Sequence, residues 1–234
     1  MQDAKTTMTG KRFKQAKSLI QKGKIYPLSE AIALVKKTAT SKFDEAIELH
    51  VRLGVDTKKS DQQVRGTISF PHSIGKSKKV IAFVEAAKEA EAKEAGADIV
   101  GGEELIASLV QSGAIDFDVA IATPSMMPKL AKLAKILGPR GLMPNPKTET
   151  VGPNIKKMIE EQKAGKESFK SDVQGNVHQI FGRASLSEDQ LTENLNLLIE
   201  TLKRLKPHSS KGIYFRSSTI ASTMGPGIKT EITM

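Results

Sequence analysis

The hydrophobic pattern of this chain changes character twice along its length, and that change restricts the fold more than any single motif does. Near the N-terminal end, "DEAIELHVRLGVD" (44–56) sets Ile47, Leu49, Val51 and Leu53 against Glu48, His50 and Arg52. A period of two places all the apolar residues on one face, as in a strand with one wet side. "QQVRGTISF" (62–70) repeats the pattern with Val64, Gly66, Ile68 and Phe70. The strands beyond residue 80 differ. "VIAFV" (80–84) is apolar throughout, and it, "ADIVGG" (97–102) and "FDVAIAT" (117–123) are each followed by a helical stretch. Unbroken apolar strands alternating with helices describe βαβ units in a parallel sheet covered on both faces. Past about residue 160 the first pattern returns. "ESFKSDV" (167–173) and "NVHQIFGR" (176–183) flank Gln174-Gly175-Asn176, which predicts a hairpin. "KGIYFRSSTIASTMG" (211–225) reads as a last, β-branched strand.

Helices frame these strands. Residues 9–22 read as a basic helix, and Leu28, Ile32 and Val35 make an apolar stripe after Pro27. In "SEDQLTENLNLLIETLKRLK" (187–206), Ser187 and Gln190 have the spacing of a capping box, and Leu191, Leu195, Leu198, Leu202 and Leu205 share one face. One-faced strands confined to one end of a chain do not make a stable sheet alone, so those at the two ends are natural partners. The expected architecture is α+β and α/β: a split α+β domain (1–70 and 161–234) carrying an inserted Rossmann-like three-layer α/β domain (71–160). Two crossings, near Phe70-Pro71-His72 and near Gly152-Pro153, would join them.

Composition narrows the function. No run of 18 apolar residues appears, so no membrane span is expected. The polar N-terminus does not read as a secretory signal, and the absence of cysteine excludes disulfides and thiolate metal sites. A formal net charge of +10 and a pI near 9.6 point to a polyanionic partner, nucleic acid before membrane, against the plainer reading that charge only aids solubility. Residues 1–24 concentrate this charge, with Lys5, Lys11, Arg12, Lys14, Lys17, Lys22 and Lys24 against Asp3 alone.

Catalytic motifs fail on inspection. Gly75-Lys76-Ser77 resembles half a phosphate loop, but the residue five positions before Gly75 is Phe70, and a strand rather than a helix follows. Gly101-Gly102-Glu103 suits a strand-to-helix turn, where Glu103 and Glu104 would repel a pyrophosphate. The histidines, 50, 72, 178 and 208, lack ligand spacing, and His50 reads as a plain surface residue. No catalytic, cofactor or metal site is expected. With 4% aromatics and no Trp, stacking of successive bases on a sheet is disfavoured, and a structured RNA held by its backbone fits better. Such a site needs cations, small hydroxyls and bare backbone. "RSSTIASTMGPGIK" (216–229) offers these around Thr223-Met224-Gly225, and "SKFDE" (41–45) sets Lys42 beside Phe43. The plain alternatives are an ordinary strand end for the first and core packing for Phe43.

"KLAKLAKILGPRGLMPNPK" (129–147), "KFDEAIELHVRLGVD" (42–56), "SDQQVRGTISFPHSIGK" (60–76), "GADIVGGEELI" (96–106) and "ASTMGPG" (221–227) together resemble the ribosomal protein L-one family, the bacterial large-subunit stalk proteins. The resemblance runs over about residues 9–228. It implies a structural, non-enzymatic protein, cytoplasmic and ribosome-associated. Its split domain would bind ribosomal RNA at the base of the mobile stalk, near transfer RNA in the exit site. It would also repress translation of its own messenger RNA. Matching motifs carry the family's RNA contacts onto Lys42, Phe43, Ser217, Thr223, Met224 and Gly225, and more weakly onto Asp172 and His178. Ala46 stands where relatives often have threonine, so a hydroxyl contact would be missing there. The loop 138–147 names the family but falls in the inserted domain. There Gly138 and Pro139 are expected to stop a helix and the prolines to fix the return path, with Arg140 and Lys147 as candidate contacts. Two rivals belong to other classes: a nucleotide-dependent enzyme built on the inserted domain, and a basic scaffold that meets only proteins.

Overall fold

The computed structural model describes residues 10–75 and 78–232. Residues 1–9 of the basic arm and Lys76-Ser77 of the Gly-Lys-Ser stretch lie outside them. In chain order the elements are α1 (Lys11–Ser18), α2 (Leu28–Thr38), β1 (Ala46–Leu53), β2 (Arg65–Ser69), β3 (Val80–Phe83), α3 (Glu89–Glu94), β4 (Ile99–Gly101), α4 (Glu103–Ser112), β5 (Val119–Ala122), α5 (Met127–Leu130), α6 (Ala134–Leu137), α7 (Ile155–Lys163), β6 (Lys166–Lys170), β7 (Asn176–Arg183), α8 (Glu188–Arg204), β8 (Phe215–Ser222) and β9 (Ile228–Thr230). They form two compact units. One comprises the chain up to Val64, Phe70–Ile74 and everything from Phe169 onward; the other comprises Arg65–Ser69 and Gly75–Ser168.

In the first unit, four strands form a sheet in the order β7-β1-β8-β9, with each of the three pairings antiparallel. The alternation along β1 sends Ile47, Leu49, Val51 and Leu53 inward, all at least 98% buried. Helices α2 and α8 cover that face. Helix α8 begins as its sequence demands: Ser187 Oγ accepts from the Gln190 N–H while the Gln190 side chain accepts from the Ser187 N–H. Its stripe of Leu191, Leu195, Leu198 and Leu202 is buried. Fully burying a leucine is worth roughly 1.5–3 kcal/mol, so this face outweighs any propensity term in holding the helix. Asn194, also buried, donates to the carbonyls of His72 and Phe181 and accepts from the His72 N–H, which ties the crossing segment Phe70–Ile74 to α8 and β7.

Strands β2 and β6, from the two ends of the chain, pair in a separate two-stranded sheet, while β7 and β8 take both edges of β1. The expected hairpin is corrected: β6 pairs with β2 and β7 with β1, so β6 and β7 are not partners. The chain still reverses at 172–176, closed by the Asp172 N–H on the Asn176 carbonyl (2.8 Å), with Gly175 at φ +81°.

The second unit has a parallel sheet in the order β4-β3-β5, with helices on both faces. On one face Ile81, Phe83 and Ala122 pack with Ile106, Met126, Leu130 and Leu133. On the other, Val80, Ala82 and Ile121 pack with Ala92, Ile155 and Ile159. The helical stretch that follows β5 is broken into short turns around α5 and α6, with Pro128 inside the first.

The glycine-proline loop also departs from expectation. Gly138 caps α6 while still right-handed, and the left-handed turn is made by Gly141 (φ +71°). The loop then runs back beside β5. The Ala122 N–H donates to the Thr150 carbonyl and the Gly152 N–H to the Ala122 carbonyl. Glu149, at φ +54°, is held by Lys166, which also pairs with Glu161 at 2.6 Å. Arg140 and Lys147 are exposed.

Candidate nucleic-acid interface

Among the described residues, the sheet of the first unit keeps one face open. Register places its residues in transverse rows. His178, His50, Thr219 and Lys229 are direct partners across all four strands. The neighbouring row is Asn176, Arg52 and Ser217, and the row on the other side is Ile180, Glu48 and Ala221. Adjacent strands lie about 4.8 Å apart, so each row offers side chains at a spacing suited to a sugar–phosphate surface. Ser217 and His178 are exposed on this face.

At the Glu45 end of the sheet, the segments 41–46 and 222–225 are tied together by one buried carboxylate. Glu45, 1% exposed, accepts from the Ser41 N–H (2.9 Å) and from the Met224 N–H (3.0 Å). Burial is the strongest influence on this carboxyl and pushes its pKa up. The hydrogen bonds around Ser41 and from Met224 together outweigh that and hold it below the ordinary value. Thr223 completes the knot: its N–H donates to the Ala46 carbonyl, and its hydroxyl accepts from the Ala46 N–H. The Thr223 hydroxyl is therefore committed to the backbone of β1, and Ala46 itself is buried.

This knot displays two large apolar side chains to solvent. Phe43 is 54% exposed, so it is not a core residue, and Met224 is 52% exposed. Lys42 is exposed beside Phe43. Gly225 is required by packing: a Cβ there would lie 2.4 Å from Ser222 Oγ. Ser222 is buried, so the contact has no easy relief.

Asp172 does a different job from the others. Its Oδ1 accepts from the N–H groups of Gln174 and Asn176, and its Oδ2 from the Asn176 side chain, so the carboxylate closes the 172–176 turn. Burial again acts most strongly and upward on its pKa, and these hydrogen bonds reverse it to a lowered value. The structure thus gathers Lys42, Phe43, Thr223, Met224 and Gly225 on one knot, sets Ser217 and His178 along the open face, and leaves Asp172 in the turn. Sequence reasoning missed Glu45, which reads as one more acid on a basic chain, and Arg52, Thr219 and Lys229, whose common face is visible only once the strand order is known.

The second unit offers a crevice at the carboxyl ends of β3 and β4, the usual ligand position in open α/β sheets. Glu85, Glu89, Glu103 and Glu104 line it with Lys129, a charge balance that repels a nucleotide's phosphates. Among the described residues no group of three or more His, Asp and Glu could hold a metal ion, and no helix is long and apolar enough to cross a membrane.

A sheet unit assembled from both ends of the chain, with cations on its open face, and an α/β unit formed by the middle of the chain define a two-unit class of protein. Residues 35–226 match the model of the Ribosomal protein L1p/L10e family. Curated relatives include the large ribosomal subunit proteins uL1 of Mesoplasma florum, 49% identical over 95% of this chain and 97% of the relative, and of Bdellovibrio bacteriovorus, 50% identical over 96% and 95%. That of Fervidobacterium nodosum is 48% identical over 95% of this chain and 94% of its own length. The chain belongs to the ribosomal protein L1 family.

Proposed function

We propose that this chain is a structural protein of the large ribosomal subunit, cytoplasmic and not an enzyme, that binds ribosomal RNA at the base of the mobile stalk. In this reading the two-piece sheet unit is the RNA grip, near transfer RNA in the exit site. The same surface binds its own messenger RNA and represses its translation. The observation that carries the reading is the knot at the end of the sheet. A buried carboxylate holds Met224 and Phe43 half-exposed beside Lys42 on a surface with no other evident purpose for them. Arg52, Ser217 and Lys229 extend that surface along the open face and supply phosphate contacts.

Filter binding with a stalk-base fragment of ribosomal RNA tests this. Wild-type affinity falls about tenfold or more between 50 and 200 mM salt if several phosphates are engaged. Met224→Glu lowers affinity by about tenfold while leaving the unfolding midpoint unchanged, because the side chain is exposed. A flat salt response, or a Met224→Glu protein that binds as wild type, overturns the proposal.

A further inference from the structure

The middle row of the open face contains an arrangement that the reading above does not use. His50 and His178 are directly opposed on β1 and β7, and their Nδ1 atoms lie 2.8 Å apart. Such a contact holds one proton: one ring donates through Nδ1–H and the other accepts. The outer nitrogens face acids, with His50 Nε2 3.8 Å from Glu48 Oε2 and His178 Nε2 3.7 Å from Asp172 Oδ2. Continuing the row, Thr219 of β8 lies opposite His50, and Lys229 of β9 opposite Thr219. Arg52 stands two residues along β1, on the same face.

We propose that the His50–His178 pair is a phosphodiester subsite of the RNA-binding face and takes up a single proton when the RNA binds. The inference rests on the RNA-binding role proposed above. The proton balance follows from the geometry. With the pair neutral, the accepting ring carries its own N–H on Nε2, and the donating ring has Nε2 free. One added proton goes to that free Nε2, making an imidazolium that still donates through Nδ1. A second would have to displace the shared hydrogen bond and set two cations in contact, so the pair carries one charge and no more.

The surroundings locate that charge. Burial first, and the neighbouring His178 second, push the His50 pKa down, with Glu48 acting the other way. The added charge is therefore disfavoured on His50, while His178 Nε2 lies 3.7 Å from Asp172 Oδ2. The groups facing the pair are Glu48 and Arg52 on β1, Asp172 in the turn before β7, Thr219 on β8 and Lys229 on β9. Without RNA the two acids offset the two fixed cations, leaving little field to drive protonation. A phosphodiester laid across the row adds negative charge next to the imidazole and favours the protonated form. By linkage, affinity then rises as pH falls.

The test is filter binding of the full-length protein to the stalk-base RNA at constant ionic strength, between about pH 8 and about pH 5.5, a window centred on histidine. Wild type is expected to bind about threefold to tenfold more tightly at the acid end, well inside the roughly 300-fold ceiling that full uptake of one proton sets over this range. The slope of log affinity against log salt should also steepen by about 0.9 there, one further phosphate neutralised. His178→Gln and His50→Gln should lose both the pH slope and the added salt dependence at the acid end, with unchanged melting since both rings are partly exposed. A wild type whose affinity is independent of pH, or variants that keep its pH slope, overturns the inference while leaving RNA binding intact. Failure of wild type to bind the fragment at any pH overturns the RNA-binding role and this inference with it.

Discussion

Glu45→Gln is the sharpest perturbation of the knot, because the change is isosteric and removes one capacity only. The carboxylate accepts two backbone N–H groups, Ser41 at Oε1 and Met224 at Oε2. An amide has a single acceptor oxygen, so one N–H must face an NH₂ donor. The site is buried, and leaving such a donor unpaired costs about 1–3 kcal/mol. Both tyrosines of the chain, Tyr26 and Tyr214, are buried in the split unit, so tyrosine fluorescence during urea unfolding reports that unit selectively. At pH 7 the variant should lose about 1–3 kcal/mol by this probe, and RNA affinity should fall because Met224 is no longer held. The pH dependence has a definite sign. Since the folded-state pKa of Glu45 lies below its ordinary value of 4.5, its contribution is present above that pH. It is lost as pH falls through the depressed value. The gap between wild type and variant is therefore full at neutrality and narrows in acid. Equal midpoints at pH 7, or a gap of constant size into acid, would refute the role assigned to this carboxylate.

Two further perturbations separate the roles of the units. Gly225→Val should weaken RNA binding by about tenfold or more and destabilise the split unit by about 1–3 kcal/mol, since the new Cβ meets the buried Ser222 hydroxyl 2.4 Å away; filter binding and urea titration read the two effects. Lys166→Met in the inserted unit should free Glu149 and Glu161 and lower that unit's stability, while RNA affinity stays within about twofold. Hydrogen exchange at the Ala122 and Gly152 amides, which anchor the returning loop to β5, would register the loosening.

What the sequence reveals and conceals follows from the range of each interaction. The α8 start is legible because Ser187 and Gln190 are three residues apart and their hydrogen bonds close within one turn. The contrast between β1 and β3 is legible because burial on one face or two is written into neighbouring residues. Which C-terminal strand β2 takes is not, since it depends on how β7 and β8 share the edges of β1. The glycine-proline loop announces a turn, yet the choice of Gly141 over Gly138 for the left-handed step is made by hydrogen bonds from Gly141 and Leu142 back to the end of α6. At the site, Thr223-Met224-Gly225 shows itself by composition, whereas Glu45 depends on a contact 179 residues away along the chain. The His50–His178 pair likewise exists only through register, across a separation of 128 residues.

Photo-crosslinking of the full-length protein to the stalk-base RNA, read by mass spectrometry of the attached peptides, addresses the central claim most directly. The account predicts crosslinks within 41–54, 176–183 and 215–230, the strands of the open face and the knot at their end. Crosslinks concentrated within 80–163 of the inserted unit, with the open face unlabelled, would contradict it.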